Sequence, residues 1–98
     1  MRTVRNMTSP KTYREICNQF IIEGDGHSVF QSYASMIADI DWKNKTISIG
    51  EDWNYSRTTG KYRNLFFDEM GMGGLSTTDG LRKAMRNGTY GDYKIVEC

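Results

Sequence analysis

From Trp53 to Met70 the chain reads WNYSRTTGKYRNLFFDEM, and this stretch constrains the fold more than any other. Wound at about 100° per residue, it puts Thr58, Thr59, Tyr62, Leu65, Phe66 and Met70 on one side. Arg57, Lys61, Asn64 and Asp68 fall on the other. Ser56 stands where an N-cap is wanted, since its hydroxyl can accept a first-turn N–H. Gly71-Met72-Gly73-Gly74 forms a glycine-rich stop. A helix with one apolar side reads as the element that closes the core of a small α+β domain.

The residues before it supply the other layer. Three turn signals, at Gly24-Asp25-Gly26, Tyr33-Ala34-Ser35 and Lys43-Asn44-Lys45, separate FII, SVFQSY, MIADID and TISIG. Glycine supplies the positive φ that tight hairpin turns need. Met36, Ala38 and Ile40 alternate with Ile37, Asp39 and Asp41, the period of two of a strand with one wet face. Three or four consecutive strands with short connections make an antiparallel meander.

At the N-terminus, Ser9-Pro10 pairs an N-cap residue with proline at the first helical position. Tyr13, Ile16, Cys17 and Phe20 follow at i, i+3, i+4 and i+7, so the spacing predicts a short helix, with residues 1–8 as a loose arm. Near the C-terminus, Ser76-Thr77-Thr78-Asp79 resembles a capping box and opens a second helix to Asn87, with Gly88 as its stop. Leu81, Ala84 and Met85 make its apolar stripe, and Arg82, Lys83 and Arg86 gather opposite. YKIVEC reads as a last strand. The expected architecture is a single α+β domain over residues 9–98. It holds a three- to four-stranded antiparallel β-meander packed against a central amphipathic helix, plus a short N-terminal helix, a second C-terminal helix and a terminal strand.

At 98 residues, with 38% hydrophobic residues, the chain can bury a modest core without metals or disulfides. No apolar run approaches the roughly 20 residues of a membrane-spanning helix, and no secretory signal is expected. Cys17 and Cys98 lie far apart without a CxxC, which favours two reduced thiols. The net charge is +1 but banded: residues 1–14 hold four bases and no acid, and residues 15–53 hold seven acids against two lysines. A nucleic-acid reader usually shows a clearer basic excess.

The chemistry-bearing residues are sparse. His27 is the only histidine, and without a partner it reads as a solvated strand-end side chain rather than a catalytic base. One histidine and two distant cysteines do not make a zinc site. Asp39/Asp41 and Glu51/Asp52 read as solvated acidic pairs more readily than as a hard-cation site. GMGGLSTTDG matches neither phosphate-binding glycine motif. No cofactor, metal or catalytic residue is implied, and the chain is expected not to be an enzyme. Two binding surfaces remain: Arg82, Lys83 and Arg86 for nucleic acid, or Phe67 beside Met70 and Met72 as a protein contact patch.

FQSYASMIA (Phe30–Ala38) and WNYSRTTGKY (Trp53–Tyr62) together resemble a pattern in small proteins of tailed bacteriophages and their prophages. There an F-x-S-Y-x-[ST]-x-I-A strand pair precedes a W-x-Y-S-x-T-T-x-[KR]-[HY] helix start. The resemblance covers about a third of the chain directly. The resemblance says nothing about catalysis. With the missing catalytic constellation it leads to the expectation of a cytoplasmic, non-enzymatic accessory protein that binds a host protein and inhibits a defence system, its oligomeric state, homodimer included, left open. Capping by Ser56 and packing by Trp53 and Tyr55 account for the shared residues structurally. The functional alternative is a shared surface site lined by Tyr33, Tyr55, Arg57 and Lys61. A small nucleic-acid-binding protein is the second reading.

Overall fold

The computed structural model describes residues 2–97. In chain order these form β1 (Thr3–Thr8), β2 (Glu15–Gly24), β3 (His27–Ser32), β4 (Ser35–Asp41), β5 (Thr46–Ile49), α1 (Arg57–Glu69), a 3-10 turn (Gly73–Leu75), α2 (Thr78–Asn87), β6 (Thr89–Tyr90) and β7 (Tyr93–Glu97). The strands make one seven-stranded sheet, ordered β1-β2-β3-β4-β5-β7-β6. β1 to β5 form an antiparallel meander, after which α1 and α2 carry the chain across so that β7 pairs parallel to β5.

The expected three- to four-stranded meander is therefore corrected to a seven-stranded mixed sheet, and the expected N-terminal helix is replaced by a turn and the start of β2. Ser9 does cap that turn, its Oγ accepting from the N–H groups of Lys11 and Thr12 at 3.3 and 3.4 Å. The turn closes when Tyr13 donates to the Ser9 carbonyl at 2.9 Å, and Tyr13 itself takes φ 58°. Beyond it Ile16, Phe20, Ile21 and Ile22 have strand-forming side chains, and pairing on both edges with β1 and β3 outweighs a weak local helix signal. The residues expected as a loose arm supply β1.

The misleading helical spacing has a structural origin. Asn6 pairs with Phe20 but Thr8 with Glu15, so β2 bulges between them, and Asn18 sits inside the bulge at φ 62°. A second bulge in β4 lies where the register moves from Phe30–Ala38 to Gln31–Met36. Bulges bend a strand and re-aim its side chains.

Register fixes the faces. Ile21, Phe30, Ala38 and Ile49 lie in one row across the sheet, and Ile40, Ile47 and Ile95 in the next. All seven are buried and share a core with Phe66, Phe67, Leu75, Leu81 and Ala84 from the helical layer. Each fully buried Ile, Leu or Phe side chain contributes roughly 1.5–3 kcal/mol. Phe30 stacks on Phe66 with centroids 5.8 Å apart, and Phe66 meets Phe67 edge-on at 5.3 Å. On the opposite face His27 lies beside Asp41, with Nδ1 2.7 Å from Asp39 Oδ1.

α1 begins as expected: Ser56 Oγ accepts from the Thr59 N–H at 3.1 Å. Its buried side differs from the one the apolar spacing selects. Thr59, Gly60, Arg63, Phe66 and Phe67 are buried, Thr58 is exposed, and Tyr62, Leu65 and Met70 are half-buried at the edge. The helix is covered by the sheet and also by Met72 and Leu75, and this second contact draws Phe67 inward. α2 starts one residue later than its capping-box pattern suggests, with Thr77 accepting from the Gly80 N–H, and ends at left-handed Gly88 with φ 76°. Gly50 marks a close approach, since a Cβ there would collide with the Met36 carbonyl oxygen beside the β4 bulge.

Candidate binding face at the start of the central helix

Ser56 lies between two hollows, and the residues around it carry most of the unusual chemistry of the molecule. One hollow, of about 610 Å³, is formed by the bulged ends of β2 and β4, the β3–β4 turn and the first turn of α1. Tyr33 and Tyr55 stand on it and are 64% and 79% exposed. Tyr33 occupies the first position of a two-residue turn at φ 54°, where glycine would be unstrained; a bulky residue held there costs of order 1–3 kcal/mol. Its N–H donates to the Asn18 carbonyl at 2.7 Å, and its carbonyl accepts from Gln31 Nε2 at 2.7 Å. The two irregular loops thus hold each other. Gln19 is 2% exposed in the same hollow, and its Oε1 has no partner among the described residues. At the rim Ser35 Oγ donates to Asp52 Oδ2 at 2.9 Å.

The second hollow, of about 860 Å³, lies between the outer side of α1 and the β1–β2 loop. Lys11, Arg57 and Lys61 line it, with Pro10, Ile16, Tyr62 and Leu65 as apolar surface and Asn54, Asn64 and Thr78 as polar surface. Among the described residues, no aspartate or glutamate lines it. Beneath it lies Arg63, 0% exposed. Its Nη1 donates to the Trp53 carbonyl at 2.6 Å and, more weakly, to Asn54 Oδ1 at 3.5 Å. Its Nη2 donates to Asn64 Oδ1 at 3.1 Å and Thr78 Oγ1 at 2.7 Å. Every one of these acceptors is neutral, and Nε has no partner among the described residues. The guanidinium lies over Trp53 at 5.2 Å, and Arg82 approaches the same ring at 5.7 Å. Burial, and then the charge of Arg82, push the Arg63 pKa below its ordinary value.

The residues singled out from sequence fall in three places. Tyr33 and Tyr55 share the first hollow, and Arg57 and Lys61 share the second, so the two pairs lie in neighbouring hollows that meet at Ser56. Arg82, Lys83 and Arg86 are exposed on α2, where Arg82 is 3.8 Å from Asp79. Phe67 is 0% exposed and presents no surface, which removes the contact patch built on it. Tyr55 does not cover the end of the sheet; only Trp53 packs on the core. The pairing of Cys17 with Cys98 lies outside the described residues.

Three further residues of this face escape the sequence reading. Arg63 is legible in principle, for it lies three or four residues from Thr59, Gly60, Phe66 and Phe67 and so shares their helix side. Gln19 and Lys11 carry no signal, because the β2 bulge and the turn at Ser9 place them.

Fold and face together define a two-layer domain: a seven-stranded mixed sheet under two helices, with a cationic and a tyrosine-lined hollow at the start of the first helix. Residues 3–83 match a family of unknown function (DUF8033), and the chain belongs to that family. No curated protein and no solved structure matches it. The matched span runs from β1 into α2 and takes in both hollows.

Proposed function

We propose that this protein is a non-enzymatic binder: a small phage-type accessory protein that engages a host protein in the cytoplasm and blocks a defence system. The single observation that carries the binding reading is the exposed aromatic set at one end of the molecule. Tyr33 and Tyr55 flank the first hollow, and Tyr13, 82% exposed, stands on the loop that walls the second. Tyrosine and arginine dominate the energetics of protein interfaces, because a rigid amphipathic ring gains contact area at little entropic cost. A tyrosine at φ 54° carries a conformational cost that a use for its ring would offset. The phage context rests on the resemblance of FQSYASMIA and WNYSRTTGKY. Nucleic acid is the weaker reading, since Arg82 is shared between Asp79 and Trp53.

The test is capture from nuclease-treated host lysate, comparing the wild type with Tyr33→Ser/Tyr55→Ser. A partner retained by the wild type and lost by the variant supports the proposal. Species that nuclease removes, or that both proteins retain equally, overturn it.

A further inference from the structure

A buried cation ordinarily has a carboxylate partner, because several kcal/mol of lost hydration must be offset. Arg63 has none within salt-bridge distance among the described residues; its acceptors are a carbonyl, two amides and a hydroxyl. Three of these residues, Asn54, Asn64 and Thr78, line the cationic hollow, and so does Gly60. An added Cβ at Gly60 would lie 3.6 Å from Arg63 Nη2, so at this point only a missing side chain separates the guanidinium from the groove. The groove also receives two helix starts. Ser56 caps α1, whose N-terminus carries about half a positive charge with no acid in its first turn, and Thr78 opens α2, where Asp79 in the first turn offsets the equivalent charge. Lys11, Arg57 and Lys61 add whole charges at the wall. The acid nearest in sequence to Thr78 is Asp79, which is exposed, within reach of Arg82 and not part of the lining.

We infer that this hollow is a binding site for the phosphate group of a small phosphorylated molecule. The inference takes its location from the binding face described above and is otherwise independent of any protein partner. One carboxylate would neutralise one of four cations, whereas a phosphate monoester brings close to two negative charges and three acceptor oxygens. The phosphate lies over Gly60, held by the side chains of Arg57 and Lys61 and favoured by the Arg63 charge beneath. The remainder of the molecule lies against Tyr62, Leu65 and Ile16. A volume of about 860 Å³ is within the range of small-molecule sites, roughly 300–1,000 Å³.

The experiment is calorimetric titration of the purified protein at fixed ionic strength with adenosine 5′-monophosphate, ribose 5-phosphate and adenosine. Both phosphate esters are expected to bind and adenosine not to. Gly60→Asp places a carboxylate beside Arg63 as an internal counter-charge. It is expected to keep or raise the melting temperature while weakening both esters at least about tenfold, the scale of one charge-assisted contact. Arg57→Gln/Lys61→Gln changes only exposed side chains and is expected to weaken them at least as much; it decides the matter if Gly60→Asp does not fold. Failure of both esters to bind, adenosine binding as tightly as its monophosphate, or unchanged affinity in the variants overturns the inference. None of these outcomes bears on capture of a protein partner, so the two proposals fail separately.

Discussion

Replacing Arg63 by methionine and by alanine separates what its charge does from what its bulk does. Methionine keeps most of the volume and removes the guanidinium. The three short bonds, to the Trp53 carbonyl, Asn64 and Thr78 at 2.6, 3.1 and 2.7 Å, are lost. Bonds from a charged donor contribute roughly 1.5–3 kcal/mol each before the burial cost of the charge is counted. That cost, several kcal/mol for an ion without a counter-ion, disappears with the charge. Asn64 and Thr78 line the groove, so water replaces their lost partner; the Trp53 carbonyl is left unsatisfied, at about 1–3 kcal/mol. Loss of the cation–π contact adds about 1 kcal/mol. The terms nearly cancel, and Arg63→Met is expected to cost about 1–2 kcal/mol. Arg63→Ala also removes two buried methylenes, Cγ and Cδ, at about 0.8 kcal/mol each, and leaves a cavity. Its expected cost is about 4 kcal/mol.

Urea unfolding monitored by tryptophan fluorescence measures both. A gap of about 2–3 kcal/mol between the variants means that the buried charge is nearly neutral for folding, its hydration penalty unrelieved within the chain. Equal losses near 4 kcal/mol would refute the reasoning. They would mean that the charge itself holds the Trp53 turn and the start of α2 against α1, and that it needs no outside anion to account for it.

Two further perturbations test the irregular parts of the molecule. Tyr33→Gly removes the strain at φ 54° and is expected to raise stability by about 1 kcal/mol while weakening partner capture; a loss of stability would mean that the ring packs rather than waits. Asp41 accepts from the side chain and the backbone N–H of Asn44, and chiefly through that side chain its pKa is held below the ordinary 3.8. The native state therefore gains from this carboxylate above pH 3.8, and the gain is lost as pH falls through the lower folded value. Asp41→Asn should flatten the dependence of melting temperature on pH below that point, and an unchanged slope would count against the role assigned to Asn44.

How far the sequence can be read depends on whether the deciding interaction is local. Ser56, Gly88 and the hairpin turns act within a few residues, and each performs the role its local pattern suggests, because a cap or a tight turn is complete in itself. Ser9-Pro10 also caps, yet the helix it announces ends after one turn. The path of the chain beyond that turn is decided by Thr3–Thr8 on one side and β3 on the other, partners that the i, i+3, i+4 spacing of Tyr13, Ile16 and Cys17 does not reveal. The buried side of α1 departs from its apolar spacing for a related reason. The spacing gives one stripe, but α1 packs on both the sheet and the turn Gly73–Leu75, so its buried side includes Phe67 and brings in Arg63. A charged residue at the spacing of core positions contradicts the simple pattern, and sequences that are locally consistent elsewhere tend to break their own rules where something beyond folding is required. Tyr33 at a glycine position and, among the described residues, the unpartnered amide oxygen of Gln19 and the charge of Arg63 without a carboxylate are three such breaks, and all three lie at or beneath the hollows that meet at Ser56. Their concentration at one end of the sheet is what the proposed binding face accounts for.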